Sequence, residues 1–91
     1  MKYVGIDVTH SGLTRRMIIA FPNDLIHLFV GTVMKAACEA QWPEADVKIA
    51  TAGDIDLEVH ETSGKSESLK LASEEGDARL LEASDYSLHI L

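Results

Sequence analysis

Tyr3-Val4-Gly5-Ile6-Asp7-Val8-Thr9 leads through His10-Ser11-Gly12 into Leu13-Thr14-Arg15-Arg16-Met17-Ile18-Ile19-Ala20-Phe21. In the first segment Val4, Ile6 and Val8 alternate with Tyr3, Gly5, Asp7 and Thr9, the period of a strand that buries one face. The second segment is β-rich through Met17-Ile18-Ile19, and the polar Gly-bearing link between them has turn chemistry. Together they predict an N-terminal β-hairpin.

Phe21-Pro22-Asn23-Asp24 ends that hairpin and opens a helix predicted over about 24–42. Asn23 or Asp24 can accept from the unpaired N–H groups of a first turn, and Pro43 stops the helix at the other end. The segment is apolar nearly all round, with Leu25, Ile26, Leu28, Phe29, Val30, Val33, Met34, Ala36, Ala37 and Ala40. Only His27, Gly31, Lys35 and Glu39 form a polar stripe. A helix lying on one sheet ordinarily shows a wider polar face, so part of this one is expected to meet a second surface. Val30, Gly31, Val33 and Met34 are the candidates, with Gly31 permitting close approach in a homodimer. The alternative is a strongly curved sheet that encloses the helix.

From Asp46 onward, Ala52-Gly53-Asp54, Ser63-Gly64-Lys65 and Glu75-Gly76-Asp77 read as turns. Between them lie short alternating runs: Val47 and Ile49; Ile55, Leu57 and Val59; Leu69 and Leu71; Tyr86, Leu88 and Ile90. Residues 73–83 are read as a strand, with a short helix as the alternative that Gly76 opposes. The expected fold is α+β in a single domain over 1–91: hairpin, one long helix, then an antiparallel β-meander, with the helix packed on one face of the sheet. Residues 61–68 are polar enough for a mobile hairpin tip.

Aromatic residues are scarce, so the core is expected to be mainly aliphatic. One cysteine, Cys38, excludes an intramolecular disulfide framework. The amino-terminal residues lack the basic-then-apolar pattern of a secretory signal, and no apolar run is long enough to span a membrane; a cytoplasmic location is expected. Formal charge is −7, and it is unevenly spread. Residues 1–43 are nearly balanced, whereas 44–91 carry four Lys/Arg against twelve Asp/Glu. Direct binding of nucleic acid or an anionic membrane needs clustered cations and is disfavoured. A protein partner with a basic surface is favoured instead, although acidity also serves solubility.

The sharpest local feature is Asp54-Ile55-Asp56-Leu57-Glu58-Val59-His60. On a strand, Asp54, Asp56, Glu58 and His60 share one face at intervals of about 6.8 Å. That face reads as a solvated surface, as an acidic recognition ridge, or as part of a metal site. The last requires other elements to close around it, because ligands two apart on a flat strand diverge. Glu74, Glu75 and Asp77 form a second acidic tip. His10, His27, His60 and His89 show no metal-ligand spacing and are expected on the surface. No nucleophile elbow or phosphate-binding loop is present, and Cys38 sits in an alanine-rich helical stretch that suits a packed thiol. No cofactor and no catalytic residues are expected. Of Arg15-Arg16, one side chain is expected in solvent and the other beside an acid.

Tyr3-Val-Gly-Ile-Asp-Val-Thr9 resembles the first strand of RNase H-like enzymes, in which such an Asp holds a metal; the resemblance would make Asp7 a ligand. It spans this one strand, and the later pattern lacks the parallel strands and further acids of that fold, so Asp7 is read as an outward residue of the hairpin. The function expected is that of a non-catalytic interaction protein. Its acidic second half would dock on a basic, nucleic-acid-handling partner, in the style of small phage-encoded inhibitors such as anti-CRISPR proteins. The alternative is a homodimeric assembly protein joined through the apolar helix.

Overall fold

A computed structural model describes residues 1–56, 58, 61–83 and 88–89. Strands β1 (Lys2–His10) and β2 (Leu13–Phe21) form the expected hairpin, in register from Lys2 opposite Phe21 to His10 opposite Leu13. The turn is only Ser11-Gly12, and both have positive φ, at 53° and 78°. That left-handed backbone matches the twist of the flanking strands in a two-residue link.

After β2, Pro22 accepts from the Leu25 N–H at 3.2 Å, and helix α1 spans His27–Gln41. It starts about three residues later than the Asn-Asp signal suggests. Ile26 stands at the N-cap in extended conformation with no side-chain cap. Asn23 and Asp24 are instead used in the preceding turn. The Leu28 N–H is met at 3.1 Å by Ser68 Oγ, forty residues away. The far end follows the sequence: Trp42 leaves helical geometry and Pro43 follows.

Strand β3 (Asp46–Asp56) runs unbroken through Ala52-Gly53-Asp54, so that expected turn is corrected. It pairs antiparallel with β1, and a bulge at Ala50 shifts the register: Gly5 faces Thr51, while Ile6 faces Ile49. One extra residue inverts the phase of a strand. Val47, Ile49 and Ala52 therefore join one face of the sheet, whereas Thr51 and Ile55 join the other. Gly53 is needed because a Cβ there would lie 2.5 Å from the Ser63 carbonyl; the glycine marks a close crossing of chain rather than a turn.

Next come β4 (Glu61–Ser63), β5 (Lys65–Ser66), β6 (Leu71–Ala72), helix α2 (Asp77–Ala83) and β7 (Leu88–His89). The main sheet has the order β4-β3-β1-β2-β7, and β5 and β6 form a separate ribbon. Two expectations are corrected here. Asp77–Ala83 is helix, not strand: Gly76, at φ 98°, lies before the helix and admits the chain into it. The closing strand pairs parallel with β2, with Ile19 opposite Leu88, so the second half is not an all-antiparallel meander. Leu57, Val59, His60, Tyr86 and Ile90 lie outside the described residues.

Each face of the sheet carries its own cluster. Val4, Ile6, Ile19, Phe21 and Ala52 pack with Val30 and Cys38 of α1. Tyr3, Ile18, Ala20 and Ile55 pack with Ala78 of α2. Among the described residues no helix is long and apolar enough to cross a membrane.

Candidate functional site

Two surfaces and one buried polar cluster contain most of the residues singled out in the sequence. The cluster lies under α2. Hairpin pairing sets Asp7 opposite Arg16, and the guanidinium takes the carboxylate bidentately, Nε to Oδ1 at 2.7 Å and Nη2 to Oδ2 at 3.1 Å. Arg16 Nη1 also donates to Glu74 and, at 3.2 Å, to Asp77 Oδ1. Asp77 Oδ2 accepts from the Tyr3 hydroxyl at 2.7 Å and from Thr51 Oγ1 at 2.8 Å. The Glu74 N–H returns to the Tyr3 oxygen at 3.2 Å. Three carboxylates and one cation thus tie α2 to the sheet.

This arrangement corrects several expectations. Asp7 is buried rather than outward. Asp77 is 2% exposed and Glu74 is bound to Arg16, so of the second acidic tip only Glu75 is both exposed and outside the cluster. Of Arg15 and Arg16, Arg16 lies beside an acid as expected, and Arg15 is exposed. The Asp7 hydrogen bonds above all push the Arg16 guanidinium pKa up, against the lowering effect of burial.

Burial first, and then the bond to Asp77, push the Tyr3 phenol from 10.0 up to about 12. Below pH 10 the phenol is neutral in both folded and unfolded chains, and its contribution to stability is complete. Between pH 10 and about 12 the unfolded chain ionises while the folded chain does not, so stability falls as pH rises through that window. Urea midpoints measured from pH 9 to 12 should show this slope. Tyr3→Phe should flatten it, and an unchanged slope would place the loss in other groups.

At the β3–β4 edge, Asp54, Asp56, Glu58 and Glu61 line an open cleft of about 580 Å³. Asp54 and Asp56 are exposed on β3, as expected. Glu58 is not on a strand but in a turn, where its N–H bonds Asp56 Oδ1 at 2.9 Å. Glu61 joins the group through the β3–β4 pairing, which sets it opposite Asp56, a placement the sequence did not reveal. His60 lies outside the described residues. Among the described residues no group of three or more His, Cys, Asp or Glu side chains is placed to hold a metal ion.

The other surface is α1, whose polar stripe divides: Lys35 and Glu39 face solvent as an ion pair, whereas its first half turns inward. His27 points inward. Its Nε2–H donates to the Gly53 carbonyl at 2.8 Å, and its ring meets Phe21 edge-on at 5.5 Å. Gly31 is buried against Ile49. Val30 is buried too and Met34 packs against the core, so of the four candidate dimer residues only Val33 stands on the outward side. That side carries Phe29 (58% exposed), Ile26 (55%), Val33 (50%) and Leu28 (46%), with Ala36, Ala37 and Ala40 also exposed. Cys38 is buried with its Sγ 3.8 Å from Met17 Sδ, and burial pushes its thiol pKa up.

Compared with protein-family models, with curated proteins and with solved structures, the chain matches none of them.

Proposed function

We propose that this chain works by binding a partner rather than by catalysis, and that the outward face of α1 is its principal contact surface. The observation that carries the reading is the direction of that helix. His27 and Gly31 of the polar stripe lie against the sheet, while Phe29, Val33, Leu28 and Ile26 face water. A helix on the surface of a monomer ordinarily does the opposite, and an apolar patch of several hundred Å² marks an interaction site. Among the described residues, Cys38 is packed, and Asp7 and Asp77 hold Arg16.

The acidic edge supports a second reading, a docking surface for a basic, nucleic-acid-handling protein in the manner of small acidic inhibitors. Asp54, Asp56, Glu58 and Glu61 share one cleft, and such charge raises association rate and selectivity more than affinity. The two readings separate by salt. Capture from a native lysate at low ionic strength and at about 0.5 M should be insensitive to salt for an apolar contact and lost for an ionic one. Phe29→Ser with Val33→Ser should abolish the salt-resistant capture. Asp56→Lys with Glu58→Lys should abolish the salt-sensitive capture and leave thermal unfolding near wild type. Capture of the same proteins by both double variants would remove both surfaces from consideration.

A further inference from the structure

We infer that the occupant of the outward α1 face is a second copy of this chain, docked antiparallel about a two-fold axis between Val33 and Ala36. The inference rests on the reading of that face as a binding surface. Phe29, Val33, Ala36 and Ala40 recur at steps of four, three and four, which places them in one seam opposite the buried Gly31 and Cys38. The seam is graded: its first half is large and its second half is alanine. Antiparallel docking sets Phe29 against the second copy's Ala40, and Val33 against its Ala36. Large side chains then meet small ones along the whole contact, as close packing of facing helices requires. Parallel docking would set Phe29 on Phe29 and Ala40 on Ala40, a wedge that two straight helices 8–10 Å apart, roughly, cannot fill.

Charge leaves this seam as the place where a second copy can dock. The chain carries −7, so two copies repel across most of their surfaces. The seam has no ionisable side chain, and its flank holds Lys35 and Glu39 as a neutral pair at 3.3 Å. It is the part of α1 on which like-charged copies meet with least repulsion. A membrane surface fits poorly, because a helix lying on anionic lipid needs a basic polar face. Ile26, Phe29 and Val33, each near half-exposed, offer on the order of 300 Å² of apolar surface. With the alanines and a polar rim, two copies bury about 1,000 Å² in all, the floor for a specific complex. A micromolar dimer is the corresponding expectation.

Sedimentation equilibrium from about 1 to 100 μM tests this directly. The wild type should move from the 9.9 kDa of one chain toward twice that mass. Val33→Glu, which brings two carboxylates together at the axis, should raise the dissociation constant at least about 100-fold with an unchanged circular dichroism spectrum. Phe29→Ala and Ala40→Phe should each weaken the dimer, and the two combined should restore it, since the swap rebuilds the same large-on-small pairs only in the antiparallel arrangement. If Val33→Glu loses its fold, the swap series decides alone. A folded Val33→Glu dimer of wild-type strength, or failure of the combined swap to recover, overturns the proposed geometry. A wild type that is monomeric at the highest concentration overturns the second copy as occupant; the reading of the face as a binding surface then survives only if Phe29→Ser with Val33→Ser still abolishes salt-resistant capture.

Discussion

Arg16→Ala should destabilise the fold by about 3–5 kcal/mol, the range for breaking a buried ion pair by removing one partner. The size of the effect comes from what the truncation leaves behind. Asp7 and Asp77 are both buried, Glu74 is adjacent, and Arg16 is the cation that all three share. Two carboxylates left under α2 without Arg16 resist folding far more than the loss of one surface pair would. In a domain of this size, whose total stability is on the order of 5–15 kcal/mol, that is a large share. The measurement is the urea midpoint at neutral pH, paired with amide exchange across α2, which should quicken before the rest of the sheet. Adding Asp7→Asn and Asp77→Asn to Arg16→Ala should recover part of the loss by removing the stranded charge. A loss under about 1 kcal/mol would mean that water reaches both carboxylates and that α2 is not held by this cluster.

Gly5→Ala should destabilise by about 3 kcal/mol, a large response to one methyl group. Gly5 lies opposite both Ile18 and Thr51 in the centre of the sheet. A Cβ there would overlap the Thr51 hydroxyl, with Arg16 Cδ and Ile18 Cδ1 each 3.4 Å away. Thr51 can yield only by rotating, which breaks its 2.8 Å bond to the buried Asp77. The strain of overpacking and the loss of a charge-assisted hydrogen bond therefore arrive together. Thr51→Ala removes the obstructing oxygen, so in that background Gly5→Ala should add under about 1 kcal/mol. Full additivity of the two substitutions would place the clash elsewhere.

Some of the buried cluster was legible in the sequence once the turn was placed at Ser11-Gly12. A two-residue link there sets each residue of β1 opposite a defined residue of β2, and Asp7 then meets Arg16. What hid this was the wider turn, His10-Ser11-Gly12, which leaves the register open. Asp77, sixty-one residues from Arg16 in the chain, carried no such signal. Its acidity reads the same in sequence whether it lies in solvent or under a helix. The acidic run from Asp54 was overextended for a related reason. Alternation continues through Glu58 and His60, but the strand ends at Asp56 because the chain turns back there to place Glu61 opposite it.

By itself the sequence determined the hairpin, the helix and its stop at Pro43, and the mixed α+β character, because these depend on local periodicity and on residues that cannot continue an element. Tertiary structure alone decided which way each element faces. An helical segment that is apolar nearly all round has no amphipathic signal to orient it, and Gly31 and His27 turned inward because Ile49 fills the gap over the glycine and the Gly53 carbonyl accepts from the imidazole. The bulge at Ala50 likewise sent Ile49 and Ile55 to opposite faces of one strand. Local pattern states how often a chain presents apolar groups; only the packed neighbours determine which of them remain in water.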